Sequence, residues 1–425
     1  MKLVKMSLAA AMLMGASAYA LDDVKVSGEA KLWYQTHDFD AVSYYAAGAL
    51  ADGDLFDRKA SIGDASLAVG VSGKAGSAVS FNVEVTALDT LGLENNVVSY
   101  TAAGTENADG TTVALNQGVP ELVSTQWWAS QANVIVTLGK TTAVLGRQAL
   151  DTPLAFTEKW NVVQNTFDAA VIVNGDLPNT TLVAAYVGKE NSALGKGTVN
   201  HDGEFQSYAA NVANAYGIAG AGGAYAVAAV FAGIPDVTLQ GWYYNVLEIA
   251  DAFWLQADGK ILDTGLSFGA QYANVDLEPT GLGLDANSAY AFKLGYSVAG
   301  VNLDASYSSV SDDNPVVGVN NVTTQNQTKL YTGAGLNGML LAQGGLVNVA
   351  APDTDAFSIG ASTTAMGATL LAEYTSAETG SADLSAWAVA AVANVVGIDV
   401  LAGVTGGDLD GTDVTAVRIT AGLKF

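Results

Sequence analysis

The feature that most constrains the fold of this 425-residue chain is an alternation of apolar and polar residues that recurs in segments of about ten residues. In residues 79–86, VSFNVEVT, every second residue is valine or phenylalanine, and the same period recurs at 24–35, 290–298 and 301–308. A period of two indicates a β-strand, because successive side chains of a strand point to opposite faces. Gly, Asn, Asp and Pro separate the segments. The chain is therefore predicted to be all-β.

The length of these segments favours strands that cross a membrane. A tilted transmembrane strand needs about 9–11 residues, whereas strands of soluble proteins are commonly about 5–6 residues long. Short connections alternate with long ones, and aromatic residues gather near segment ends, as at Trp127-Trp128 and Trp242-Tyr243-Tyr244. These features predict a transmembrane antiparallel β-barrel with short periplasmic turns and long outer loops.

The strand count follows from the tight turns. Eight turns and nine outer connections predict about 18 strands, with 16 as the alternative. Residues 205–223 are the region where the strand count is most easily wrong by one hairpin. Residues 205–235 also contain no charged residue, which raises the alternative of a transmembrane helix, but the four glycines between 217 and 223 disfavour a helix. The turns are predicted near residues 73–76, 131–133, 177–179, 233–236, 258–260, 299–300, 366–367 and 396–397.

The two chain ends carry targeting signals. Lys2 and Lys5 precede an apolar run and an Ala-Tyr-Ala sequence at 18–20, which is the layout of a secretory signal peptide. We expect residues 1–20 to be removed, leaving 21–425 as a single barrel. The chain stops at Phe425 on an alternating strand, which predicts a C-terminal assembly signal for the bacterial barrel-assembly machinery.

Charge and composition exclude several classes of function. The chain has 42 acidic and 17 basic residues, a formal net charge of −25, and loss of Lys2 and Lys5 with the signal peptide makes it −27. Such acidity argues against nucleic acid as a partner, because phosphate binding requires clustered basic residues. The chain has no cysteine, so a secreted fold of this size cannot depend on disulfide bonds.

No pattern in the sequence indicates catalysis or a bound cofactor. A hydrolase at the barrel rim would need a base beside a nucleophile, and no such pair is found, so the chain is predicted not to be an enzyme. Asp-rich stretches at 52–57, 311–314 and 406–413 suit weak calcium binding by loops at most. Otherwise no metal and no cofactor are expected.

Two segments carry a family resemblance. Residues 145–153, LGRQALDTP, and 167–190, FDAAVIVNGDLPNTTLVAAYVGKE, together with the signal-like start and the terminal Phe, resemble the Opr-type porins. The likeness is closest to the major outer-membrane porins of the epsilon class of proteobacteria. It is sharpest over residues 135–190 and at both ends. The resemblance implies an 18-stranded barrel whose third outer loop folds inward and narrows the channel. It also implies a homotrimer, with a monomer as the alternative, because monomers occur among the relatives of this family.

Carried onto this chain, the inward-folding loop covers residues 146–165. The resemblance makes Arg147, Asp151, Glu158 and Lys159 candidates for the pore constriction, where opposed charges would order water and sort solutes by charge. The alternative for Arg147 is that it pairs with Asp151 and only pins the loop to the wall. The polar residues that alternate with apolar ones along the strands are predicted to face the lumen. The charged residues among them are Lys25, Glu29, Lys31, Glu84, Lys293, Asp304, Glu373, Asp399 and Arg418.

These observations predict a porin in the bacterial outer membrane, among lipid and lipopolysaccharide. Its channel would be filled with water and would let ions and small hydrophilic solutes diffuse passively, with a preference for cations. Only three arginines are present, so the ladder of lumenal arginines that Opr-type channels use for carboxylate substrates is not expected. The alternative is a non-conducting outer-membrane barrel, or a surface adhesin or structural envelope protein.

Overall fold

The computed structural model describes most of the chain. The described residues are 22–39, 53–93, 96–98, 126–158, 161–191, 205–215, 221–278, 285–313, 328–333, 335–340 and 347–425. The predicted signal peptide at 1–20 and the candidate Lys159 lie outside these residues.

Within the described residues the strands form one closed antiparallel sheet. Eighteen of them make the barrel, and the two-residue β8 only extends one edge of β7. The strands are β1 (Asp22–Phe39), β2 (Ser61–Lys74), β3 (Val79–Asp89), β4 (Gln126–Leu138), β5 (Thr141–Gln148), β6 (Phe167–Asn174), β7 (Thr180–Glu190), β8 (Gln206–Ser207), β9 (Ala224–Ile234), β10 (Val237–Val246), β11 (Ala250–Ile261), β12 (Leu266–Leu277), β13 (Asn287–Val298), β14 (Val301–Val310), β15 (Thr354–Ala365), β16 (Ala368–Thr379), β17 (Ala382–Val395), β18 (Ile398–Leu409) and β19 (Asp413–Lys424).

The first and last strands close the barrel. β1 pairs with both β2 and β19, and its register with β19 runs from Glu29 opposite Lys424 to Phe39 opposite Val414. The terminal residue continues the seam, because Phe425 and Gly28 exchange two backbone hydrogen bonds of 2.8 and 3.0 Å. The prediction of an 18-stranded antiparallel barrel is confirmed.

Two of the eight predicted turns are misplaced. The connection between β4 and β5 lies at Gly139-Lys140, not at 131–133, and the connection between β11 and β12 lies at 262–265, not at 258–260. Both errors have the same cause, because polar residues that face the interior look like turn residues in the sequence. Gln131 donates to Glu84 on the neighbouring strand at 3.5 Å, and Asp258 accepts a hydrogen bond from Tyr331 at 2.8 Å.

The charge-free region is mixed in structure. It contains the short β8, helix α1 (Tyr208–Ala215) and strand β9. Among the described residues no helix is long and apolar enough to span a membrane. A second short helix, α2 (Leu336–Leu340), lies between β14 and β15, and one 3₁₀ turn covers Arg58–Ala60.

The two faces of the wall differ sharply. The outward face exposes large apolar side chains such as Val26, Leu255 and Leu294. The inward face carries both polar and apolar residues, and some of the latter are fully buried, among them Trp254. Burial of residues that point into a barrel requires something inside the barrel to cover them, and two of the outer connections do so.

Candidate functional site: two loops inside the barrel

The first interior element is the connection between β5 and β6, here called L3 (residues 149–158 and 161–166). One limb packs Leu154 and Ala155 into a buried apolar cluster with Tyr244 of β10. The other limb reaches the opposite side, where the carbonyl oxygen of Val162 accepts hydrogen bonds from Lys31 of β1 at 3.2 Å and from a serine of β2 at 3.4 Å. Since β1 and β10 lie on opposite sides of β5 in the sheet order, L3 crosses the lumen.

L3 is held by its own hydrogen bonds. Asp151 and Phe156 form an isolated antiparallel bridge. The backbone N–H of Glu158 donates to Asn165 Oδ1 at 2.7 Å, and the N–H of Thr166 donates to an asparagine after β7, also at 2.7 Å. These bonds satisfy buried backbone groups of an irregular segment. L3 is therefore a defined obstruction.

The second interior element, here called L7, lies between β14 and β15 (residues 328–333, 335–340 and 347–350). Tyr331 anchors its first part. The N–H of Tyr331 donates to Gln271 Oε1 at 3.1 Å, its hydroxyl donates to Asp258 Oδ1 at 2.8 Å, and its carbonyl oxygen accepts from Ser306 at 3.3 Å. These three partners lie on β12, β11 and β14. L7 thus follows the inner wall instead of projecting outward.

Burial and the hydrogen bond to Asp258 raise the pKa of the Tyr331 hydroxyl above its ordinary value. The neutral hydroxyl is therefore the form that acts as a donor throughout the physiological range. Lys293 lies with its ammonium 4.2 Å from the centre of the Tyr331 ring and 3.6 Å from Asp258 Oδ1. The anchor combines one carboxylate, one ammonium and one aromatic ring.

Further along L7, two charged wall residues hold helix α2. Glu373 of β16 accepts hydrogen bonds from the N–H of Leu336 at 2.7 Å and of Asn337 at 3.2 Å, both in the first turn of the helix. Arg418 of β19 is buried. It donates to the carbonyl oxygen of Met339 and to Gln35 Oε1, the latter at 2.9 Å. Both charges were predicted from the alternation to line the lumen, and the structure uses both to dock L7.

Glycines in the wall make room for this docking. A Cβ at Gly269 would lie 2.5 Å from Cζ of Tyr331, and one at Gly403 would lie 2.5 Å from Leu340 of L7. Real Cβ atoms do not approach other heavy atoms so closely. Position 269 on β12 and position 403 on β18 therefore act as sockets for the L7 side chains.

The two loops touch each other. Lys329 of L7 forms an ion pair with Asp151 of L3, with 2.7 Å between Nζ and Oδ1. The same ammonium lies 4.8 Å from the centre of the Phe156 ring. Among the four candidates for the constriction, Asp151 lies at the junction of the two loops, and 85% of its side chain is exposed.

Arg147 does not lie with Asp151. Its register pairs it with Ala132 and Asp168, on the same face of β5 as the exposed Leu145, which is the outward face of the wall. Its Nε and one of its terminal nitrogens donate to the two carboxylate oxygens of Asp168 at 2.8 and 3.1 Å. This geometry argues against Arg147 as a channel-facing group, and the alternative pairing with Asp151 is also not formed.

Glu158 is buried in L3, with 2% of its surface exposed, so it does not present its carboxylate to an open channel. The sequence did not specify the orientation of these two side chains, for a physical reason. Family resemblance located the loop but could not say which way each side chain points, because that depends on hydrogen bonds made across the barrel.

The remaining predicted lumen charges lie on the inward-facing phase of their strands, opposite to the exposed apolar residues. Several are paired there. Lys31 lies 3.9 Å from Glu29, and Lys424, which was not singled out in the sequence, lies 3.7 Å from Asp399. Glu84 accepts a hydrogen bond of 2.7 Å from Ser130. The other inward charges are Lys25, Lys293, Asp304, Glu373 and Arg418.

L7 was missed in the sequence, although one signal was present. Residues 311–353 form a connection far longer than those between the other late strands. Long loops without their own fold in a compact domain are commonly functional. The docking itself could not be foreseen, since its hydrogen-bond partners lie on five different strands.

The architecture was compared with known proteins. No protein-family model and no curated protein sequence matches the chain. Solved structures do match over nearly its full length. The Pseudomonas aeruginosa channel OpdK, crystallised with vanillate, aligns with a TM-score of 0.69 at 10% identity, covering 95% of this chain and 98% of OpdK.

The fold is that of an outer-membrane porin barrel. Two further structures agree with this assignment. OccK9 (OpdG) of P. aeruginosa has a TM-score of 0.70 at 13% identity, covering 95% of this chain and 98% of its own. OccAB1 of Acinetobacter baumannii has a TM-score of 0.70 at 12% identity, covering 96% and 97%. At such identities the likeness concerns the fold, and this chain has the architecture of an integral β-barrel of the outer membrane.

Proposed function

We propose that this protein is a passive channel for ions and small hydrophilic solutes. The observation that carries the proposal is a cavity of about 330 Å³ inside the barrel, lined by polar and apolar groups, between the second limb of L3 and the wall formed by β1–β4 and the end of β19. Charged, hydroxyl and amide side chains line it, among them Glu29, Lys31, Glu84 and Gln131. An interior that is polar and only partly filled is what a diffusion channel requires, because water must pass through it.

A preference for cations is part of the proposal, and it rests on which charges lack a partner. Among the described residues, Lys31, Lys293, Lys329 and Lys424 each lie within 4 Å of a carboxylate, and Arg418 is buried beneath L7. Lys25 also faces the interior, near the start of β1, and has no carboxylate within this distance in the described part of the chain.

The inward-facing carboxylates have fewer oppositely charged neighbours than the inward-facing cations do. Glu84 is hydrogen-bonded only to neutral groups, Ser130 and Gln131, in the described part of the chain. No described cation lies within ion-pair distance of Asp304, which faces the interior on β14. Uncompensated carboxylates on the wall give the lumen a negative potential, which raises the local concentration of cations.

The substrate range is proposed to be broad. The crystallised OpdK carries vanillate, a carboxylate. This chain has three arginines, of which Arg418 is buried and Arg147 points outward, so it offers little for selective carboxylate binding. The closer likeness to the major porins of the epsilon class remains a prediction from the two sequence segments.

The test is a bilayer recording in a salt gradient. We expect single-channel steps and a reversal potential of the cation-selective sign. Asp304→Asn should move the reversal potential toward zero, because it removes an uncompensated lumenal charge. Asp276→Asn is the matched control, since Asp276 lies on the outward face of β12 and should leave the potential unchanged.

Two results would contradict the proposal. The absence of any conductance, with no swelling of liposomes in small sugars, would favour the non-conducting barrel. Conductance with an anion-selective potential would retain the channel and refute the cation preference.

A further inference from the structure

The charge-free residues 205–235 help to form an apolar cavity that the channel proposal does not use. The buried side chains of helix α1 belong to the same apolar cluster as Leu154 of L3; they are Tyr208, Ala209, Val212 and Ala213. A cavity of about 40 Å³ lies between α1, the first limb of L3 and the inner wall of β7 and β9–β12. It shares no lining residue with the larger cavity beside β1–β4.

Alanines on the wall create this space. Tyr244 of β10 lies opposite Ala226 of β9 on one side and opposite Ala252 of β11 on the other. The same level of the wall continues to Ala185 of β7 and Val275 of β12. All five side chains line the cavity. Because an alanine side chain ends at Cβ, the Tyr244 ring has no large cross-strand neighbour, and L3 covers the gap without filling it.

The surface of the cavity is almost entirely apolar. A buried water typically makes about three hydrogen bonds, and apolar cavities that cannot supply them stay dry. One water needs about 10–15 Å³ of such space, so this cavity has room for about three non-hydrogen atoms. It suits a small apolar guest better than it suits water.

One buried polar atom of the lining has no partner. Tyr244 is 5% exposed, and within the described residues its hydroxyl makes no hydrogen bond. The hydroxyl approaches Thr152 and Leu154 of L3. The Thr152 hydroxyl, however, donates to the carbonyl oxygen of Ala155 at 2.7 Å and accepts from the N–H of Ala155 at 3.1 Å. The local turn of L3 thus engages Thr152 and leaves the phenolic proton of Tyr244 without an acceptor, which is a costly state for a buried donor.

We propose that this cavity binds a small uncharged organic molecule with an apolar body and one acceptor oxygen, as in a short alcohol. The oxygen accepts the proton of Tyr244, and the carbons contact the wall alanines and Leu154. A charged guest is excluded, because apolar walls cannot replace its hydration. The guest touches L3 and the wall together, so its binding favours the docked position of L3. The inference goes beyond the channel proposal and does not depend on conduction.

The size of the guest limits its affinity. Even the most efficient small ligands reach a dissociation constant no lower than about 0.5 mM with three non-hydrogen atoms. Ethanol has two carbons and one acceptor oxygen, so it is the probe that matches the cavity. We expect a dissociation constant in the millimolar range.

The test is saturation-transfer NMR of ethanol with the barrel purified from outer membranes in detergent. We expect a saturable transfer of magnetisation from the protein to the ethanol methyl group. Ala252→Leu fills the cavity and should abolish the saturable part. Ala361→Leu is the matched control, because it adds the same bulk to the outward face of β15 and should bind ethanol like the wild type. Ethanol dissolved in detergent gives a signal that does not saturate and is equal in all variants.

A second variant keeps the test decisive if Ala252→Leu does not fold. Tyr244→Phe retains the ring and removes only the hydroxyl. We expect it to bind ethanol at least about fivefold more weakly, as the loss of one hydrogen bond implies. Without ethanol, its urea midpoint should be no lower than that of the wild type, because the substitution removes a buried donor that has no acceptor.

Four outcomes would overturn the proposal: no saturable transfer in the wild type, equal transfer in the wild type and Ala252→Leu, unchanged affinity in Tyr244→Phe, or a lower urea midpoint for Tyr244→Phe. The last result would show that the hydroxyl is already paired within the protein. Bilayer recordings of the same preparations separate this inference from the channel proposal. A conducting barrel that does not bind ethanol refutes the site alone, and a non-conducting barrel that binds it refutes the channel alone.

Discussion

The socket beneath Tyr331 gives the sharpest test of how L7 is positioned. Gly269→Ala places a Cβ 2.5 Å from Cζ of Tyr331, so the ring must move away from the wall of β12. The movement strains or breaks the hydroxyl bond to Asp258, now 2.8 Å, and the contact of the ring with Lys293.

The size of the effect can be worked out from these contacts. A hydrogen bond to a charged group contributes about 1.5–3 kcal/mol, and overpacking costs about 1–3 kcal/mol. The lower ends apply here, because about a third of the Asp258 side chain is exposed and solvent screens the contact. Their sum of about 2.5 kcal/mol lowers the ratio of docked to undocked L7 roughly 70-fold.

The assay is single-channel recording, because L7 lies in the lumen and its release should change the current. We expect Gly269→Ala to show a larger mean conductance and more frequent transitions between levels than the wild type. Gly241→Ala is the control, since its Cβ on the outward face of β10 would meet only Leu255 at 3.4 Å, an ordinary contact. If Gly269→Ala behaves like Gly241→Ala, the wall socket does not position L7 and the reasoning fails.

Two further predictions concern the other contacts of L7. Arg418→Ala leaves a cavity and unpaired buried acceptors, so we expect the free energy of unfolding in urea to fall by about 3 kcal/mol. The control is Lys424→Ala at an exposed position, which should lower this free energy by less than about 0.5 kcal/mol. Equal urea midpoints for the two variants would show that Arg418 does not hold the loop. Lys329→Gln removes the ion pair with Asp151, whose partners are 38% and 85% exposed. At low salt we expect Lys329→Gln to increase the frequency of current transitions by no more than about fivefold, which corresponds to about 1 kcal/mol. In about 1 M salt we expect no effect, because salt at that concentration also screens the ion pair of the wild type. An effect that does not depend on salt would contradict this account.

The barrel itself was predictable because its information is local. Alternation of apolar and polar residues specifies strands and their two faces, and the count of tight turns and outer connections predicted about eighteen strands. The terminal Phe425 was assigned to the last strand from the same pattern. Errors arose where the interior is polar, as at Gln131 and Asp258, because the sequence gives turn residues and lumenal residues the same appearance.

The interior was decided by the tertiary structure. Arg147 was a reasonable constriction residue in the sequence, but its register beside Asp168 places it on the outward face. Tyr331 and Leu340 find their places only because Gly269 and Gly403, on strands distant in the chain, leave room for them.

A closed transmembrane barrel of about this size can thus be inferred from the alternation, which needs no knowledge of distant residues. The paths of L3 and L7 depend on the folded structure, and so do the partners of the charged wall residues that these loops contact. The physical reason is that a loop inside a barrel is stabilised by groups from many strands at once, and those groups become neighbours only when the barrel closes.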